Sequence, residues 1–316
     1  MAEFSGRFRP KRAVDFLKRG IAPRHVAMAA LLAIIAVGSV YYYRAELVAA
    51  KAFALVRPRY EDVKIGHAIA RIYVPASYVE GSIGTRANLY LHGNAHGHAT
   101  FIGVDALRLV RDGDEILAII DGQDYVSEPF GSAASGWGNA IYRQRYMDLY
   151  NFLRARYQIA EEVDLIGASM GGLAMGRFIV SPPFPVERAF GLGPVPFLQA
   201  IFDNGGDKRK APIRNAFGMR QTGEDDILLS KIARDDFWTD DLPSMAGKLP
   251  PLKIVAGTGD KVFSDEFGGS EAYRRLCAVY QTNGGSCSYQ EVHGLMHDHY
   301  AMLPAILDEA LKPRPD

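Results

Sequence analysis

Beyond residue 65 the chain alternates between two hydrophobic rhythms. Short apolar runs bounded by glycine, proline or charge read as strands at "AIARIYVP" (68–75), "ANLYLHG" (87–93), "EILAIIDG" (115–122), "VDLIG" (163–167), "RAFGLG" (188–193), "LKIVAG" (252–257) and "SCSYQEV" (286–292). Between them, apolar positions recur at helical spacing: around 101–111, at 142–157, from Leu173 until Pro182 stops the helix, at about 269–282 and at 299–311. Continuously apolar strands belong in a sheet covered on both faces, and strand–helix alternation makes that sheet mostly parallel. The predicted fold class is α/β, a mostly parallel sheet flanked by helices.

Two regions break the rhythm. Residues 194–250 are long and charged, with no strand of their own. Short helical patterns such as "DDILLSKIARDDFW" (225–238) predict a small helical cap there, inserted after the sixth strand. At the other end, residues 1–25 carry seven Lys/Arg against Glu3 and Asp15. The stretch "VAMAALLAIIAVGSVYYY" (26–43) then runs 18 positions without a charge and ends in tyrosines. That is just long enough for a bilayer core, with residues that favour the interface at its end. A buried core helix fits less well, because no amphipathic face is visible. A cleaved signal peptide is the stronger rival: Val48-Ala49-Ala50 offers small residues, but Arg44 and Glu46 intervene. The expectation is a transmembrane signal anchor with a cytoplasmic N-terminus and the bulk of the chain outside the membrane. The organisation expected is a basic leader (1–25), an anchor (26–43), a link (44–64) and one α/β domain (65–316).

Composition adds limits. Of 316 residues 48% are hydrophobic, enough for a large core, and the 36 basic and 36 acidic residues cancel, so nothing electrostatic points to nucleic acid. Cys277 and Cys287 are the only cysteines. They fit one disulfide closing a short loop in an exported domain, or two unrelated thiols, and not a zinc site.

The candidate chemistry starts at "VDLIGASMGGLAMG" (163–176). Ser169 falls between an apolar strand and a helix, inside Gly-x-Ser-x-Gly. A sharp strand-to-helix turn brings the two elements close, so Gly167 and Gly171 have a steric purpose, and the helix start aims backbone N–H groups at any negative oxygen formed there. A serine hydroxyl needs a base. Downstream, "LKIVAGTGDKVF" puts Asp260 in the turn leaving a strand, with Asp265 as a rival. "YQEVHGLMHDHY" puts His293, His297 and His299 just past the last strand. A carboxylate there would orient an imidazole and stabilise its charged form. A zinc reading of His92, His96 and His98 with the later histidines lacks the usual spacing and leaves the serine turn unexplained.

With these residues in view, the chain over about 65–312 resembles the α/β-hydrolase family, in the order Ser169, Asp260, His297. "GLMHD" looks like the family's histidine loop, which favours His297 as base over His299. "LYLHGNAHG" (89–97) looks like its His-Gly oxyanion loop, although the second glycine, Gly97, comes one residue late. The resemblance implies an oxyanion hole from the backbone N–H groups of Asn94 and Met170, with His92 shaping the loop. The stretch 121–139, "DGQDY…GWGN", is similar to segments near the site of extracellular esterases. The implied activity is a membrane-anchored serine hydrolase that cleaves carboxylic esters of small molecules, lipids or polysaccharides through an acyl-enzyme, without cofactor or metal. Acyl transfer or peptide cleavage would use the same residues, and a non-catalytic binding module is the alternative from another class.

Overall fold

The computed structural model describes residues 59–94, 96–99, 102–122, 136–219, 223, 225–235, 249–261 and 269–312. The basic leader and the apolar stretch 26–43 lie outside them, and no helix among the described residues is long and apolar enough to cross a membrane.

Eight described strands form one sheet: β1 (Arg59–Ile65), β2 (Ala68–Val74), β3 (Ala87–Leu91), β4 (Ile116–Ile120), β5 (Val163–Ala168), β6 (Val186–Leu192), β7 (Leu252–Gly257) and β8 (Cys287–Val292), in the order β1-β2-β4-β3-β5-β6-β7-β8. β1 and β2 pair antiparallel, as do β2 and β4, and every other neighbour is parallel. All residues of β3, β4 and β5 are buried, as their unbroken apolar character requires.

One boundary needs correction. The segment 44–64, read as a link, ends in β1. This strand lies at the sheet edge with most of its residues exposed, so it lacks the apolar run that marks an interior strand. Only Val63 and Ile65 lean on the core.

The described helices are α1 (Val104–Arg111), α2 (Ala140–Tyr157), α3 (Gly171–Val180), α4 (Leu198–Asn204), α5 (Gly206–Ala216), α6 (Asp225–Asp235), α7 (Ser270–Thr282), α8 (His299–Met302) and α9 (Pro304–Ala310). α2 starts where the Asn139 side chain accepts the Tyr142 N–H, and it buries Tyr142, Tyr146, Leu149, Leu153 and Tyr157, a stripe at helical spacing. α4 to α6 occupy the insertion after β6, as the short helical patterns predict. The last expected helix, 299–311, is two helices. Pro304 has no N–H to continue the first and suits the opening turn of the second. Cys277 of α7 and Cys287 of β8 are joined in a disulfide.

At the amino ends of the strands, Asp164 of β5 is buried against Arg188 of β6. The Arg188 guanidinium also donates to the carbonyls of Glu309 (2.8 Å) and Ala310 (2.9 Å), tying α9 beneath the sheet. At the carboxyl ends, Leu91 pairs with Gly167, Ala168 with Leu192, Leu192 with Val255 and Gly257 with Val292. The turns that follow β3, β5, β7 and β8 therefore open at one edge, the usual place for a ligand in an open α/β sheet.

Candidate active site

Ser169 stands between β5 and α3 with φ +48°, a left-handed conformation that a non-glycine residue adopts at a cost. The neighbouring backbone holds it there. Its N–H donates to Leu192 O (3.1 Å), and its carbonyl accepts from Gly172 (2.9 Å) and Val195 (2.8 Å). The glycines allow this approach: a Cβ on Gly171 would lie 2.0 Å from Leu91 O, and one on Gly172 2.4 Å from Pro194 Cβ.

Two other turns bring side chains to it. Asp260, after β7, is 1% exposed, and its Oδ2 lies 2.5 Å from His297 Nδ1. His297, beyond β8, places Nε2 at 2.9 Å from Ser169 Oγ. A carboxylate can only accept, so the His297 hydrogen sits on Nδ1 and Nε2 offers a lone pair to the serine hydroxyl. Of the rival histidines, His293 is exposed. His299 is buried and bonds to His297, with Nε2 to Nε2 at 3.1 Å. Asp265 lies outside the described residues.

The loop after β3 forms the facing wall. Asn94 lines the same cleft as Ser169, and Met170, whose N–H opens α3, sits directly after the serine. His92 lies deep behind them. Burial pushes its pKa down to about 4, and its ring meets Tyr142 edge-on. Tyr142 donates its hydroxyl hydrogen to His92 O (3.0 Å), and Tyr146 to Tyr90 O (2.6 Å), so α2 grips the end of β3.

The loop is pinned again at its far end. Asp121, just past β4, accepts from the His98 N–H (2.9 Å) and sits 2.8 Å and 2.9 Å from His98 Nδ1. Burial works to raise the Asp121 pKa, but these bonds from His98 outweigh it and hold the carboxyl below its ordinary value. Gly97 has a reason in this contact, since a Cβ there would meet Asp121 Oδ1 at 2.4 Å. His96 instead stacks on Tyr300 (6.5 Å between ring centres).

A cleft of about 540 Å³ opens over the serine, lined by Asn94, His96, Trp137, Ile201, Arg209 and Tyr300. Arg209 and Ile201 come from the cap. Sequence reasoning placed the stretch 121–139 near the site without singling out Asp121 or Trp137, and it missed Tyr142, Tyr146 and Arg209. The signal available was the stretch 121–139, whose ends supply Asp121 and Trp137; its residues 123–135 lie outside the described ones. A nucleophile bonded to a base, a base bonded to a buried acid and amides beside the nucleophile can together perform acyl transfer.

No family model matches the chain, and no curated protein matches it in sequence. Solved structures do match in fold. An S-formylglutathione hydrolase from Agrobacterium tumefaciens superposes with a TM-score of 0.58 at 12% identity, over 80% of this chain and 92% of its own. FphF, a fluorophosphonate-binding serine hydrolase of Staphylococcus aureus, gives 0.53 at 16% identity over 81% and 99%. A thermophilic esterase from Thermogutta terrifontis gives 0.53 at 13% over 80% and 91%. The fold expected from the sequence is the fold found: the chain has the α/β-hydrolase fold.

Proposed function

We propose that this chain is a serine hydrolase that cleaves carboxylic esters through an acyl-enzyme on Ser169. One observation carries the reading: a serine on a left-handed turn is bonded to His297, and His297 to the buried Asp260. Ser169 Oγ attacks the acyl carbonyl while His297 Nε2 takes the hydroxyl proton. Asp260 steadies the imidazolium, and the backbone N–H groups of Asn94 and Met170 bind the oxyanion. Collapse breaks the bond to the leaving oxygen, which departs as alcohol with the His297 proton. Water, deprotonated by the same His297, then attacks the acyl-enzyme, and Ser169 recovers its proton as the acid leaves. The esterase and hydrolase names of the structural neighbours support an ester as substrate.

Placement follows the same reading. Residues 26–43 anchor the chain in the cytoplasmic membrane, and the hydrolase domain works on its outer side. The Cys277–Cys287 bond supports this, because disulfides persist in oxidising compartments.

The test is a fluorophosphonate probe on the full chain, followed by mass measurement. A single adduct is expected on the native protein and none on Ser169→Ala, with ester turnover in that variant down by at least about 10³-fold. Near-normal turnover by Ser169→Ala would end the reading.

A further inference from the structure

The contact between His297 and His299 has no part in the reaction just described. His299 Nε2 lies 3.1 Å from His297 Nε2, the atom that also meets Ser169 Oγ at 2.9 Å. The two imidazoles stand edge to face, with centres 4.5 Å apart and planes at 80°. His299 is only 7% exposed, at the start of α8, and comes close to Gly93 of the β3 loop.

We propose that His299 is a positioning residue for the base: a neutral imidazole that donates its Nε2 hydrogen to His297 Nε2, sharing that nitrogen's one lone pair with the Ser169 hydroxyl and so holding the ring in place beside the serine. This rests on the hydrolase reading above. The tautomers follow from the contacts. Asp260 fixes the His297 hydrogen on Nδ1, so Nε2 presents one lone pair. A second nitrogen at 3.1 Å from that lone pair is favourable only with a hydrogen between them. A neutral imidazole has a single N–H, and placing it on Nδ1 of His299 would leave two lone pairs facing each other. Neutrality itself comes from burial, then from the proximity of His297 and His96, which together push the His299 pKa down to about 3.

A hydrogen bond made to the unprotonated form of a base favours that form. Were His297 protonated at rest, its Nε2–H would confront the His299 Nε2–H unless His299 moved its hydrogen to Nδ1. Each time the Ser169 proton arrives on Nε2, the His299 bond must yield. The other titratable or charged groups facing this pair are Asp260, with the exposed Lys261 beside it, His96 from the β3 loop, Asp298 and Tyr300 from the same loop, and Arg209 from the cap.

The experiment follows the rate of fluorophosphonate labelling of the full chain against pH, from about 4 to 9. His299→Phe keeps a flat ring without the donor, and its acid limb should move up by about one pH unit. His299→Gln carries an amide N–H to nearly the same place, and its limb should stay near the native one. A Phe limb that does not move, or moves down, would overturn the proposal. Ring ¹⁵N shifts of the native chain test the same idea without any variant. They should report the Nε2–H tautomer for His299, and an Nδ1–H tautomer would sink it. Failure of the native chain to label would count against the hydrolase reading, and the tautomer measurement would still decide the role of His299.

Discussion

Two glycine-bearing turns meet at the site, and they are held in different ways. At the elbow after β5 the atom that excludes a side chain from Gly171 is the Leu91 carbonyl oxygen of a central strand, which cannot move without the sheet. In the loop after β3 the space beside Gly97 is filled by the carboxylate of Asp121, the end of a side chain that can turn or be removed. The first turn is constrained by backbone and admits no substitute. The second is propped by side chains lent from β4 and α2, so its support can be weakened in steps. The nucleophile is thus fixed by the sheet itself, while the facing loop is adjustable.

That contrast can be broken by substitution. Gly171→Ala should have the largest effect. Forcing a methyl against backbone at this distance costs at least about 3 kcal/mol, which lowers Tm by roughly 10 °C in a domain of this size. Calorimetry reads the fall, and a Tm unchanged in this variant would mean that the two strands are not held together as described. Next comes Asp121→Ala. Loosening the loop should lower kcat about 10- to 100-fold while Ser169 still takes the probe. Gly97→Ala should be damaging alone but mild in the Asp121→Ala background, a coupling of about 1–2 kcal/mol in a double-mutant cycle of stabilities. Strict additivity would refute the carboxylate as the limiting contact.

The smallest effect concerns pH. Burial holds His92 neutral, with its pKa near 4, as it does His299 near 3. An unfolded histidine titrates near about 6.5, so between these values the unfolded chain binds more protons than the folded one. Stability is thus full above about 6.5 and declines as pH falls toward the folded values. Melting curves across that window should show Tm dropping with acid, and His92→Phe should drop less steeply. Equal slopes would mean that His92 is not buried as the neutral form.

The same contrast explains what could be read in advance. The elbow was legible because all its requirements are neighbours in sequence: apolar strand, Gly167, Ser169, Gly171, then helix. Asp260 and His297 were legible as groups at the ends of strands. The choice among three histidines needed a resemblance, since spacing alone leaves His293, His297 and His299 equal. Asp121, Tyr142 and Tyr146 were illegible for a physical reason. Their link to the β3 loop exists only after the sheet places β4 beside β3 and lays α2 across them. β1 escaped notice because an exposed edge strand has no hydrophobic period to reveal it.

The base itself hangs from the margin of the sheet. Among the described strands β8 has a neighbour on one side only, and margins open first when a sheet breathes. The bond from Cys287, its first residue, to α7 acts as a stop on that opening just ahead of the segment that carries His297. The link that secures the base thus lies at the edge of the sheet, far in sequence from the serine it serves.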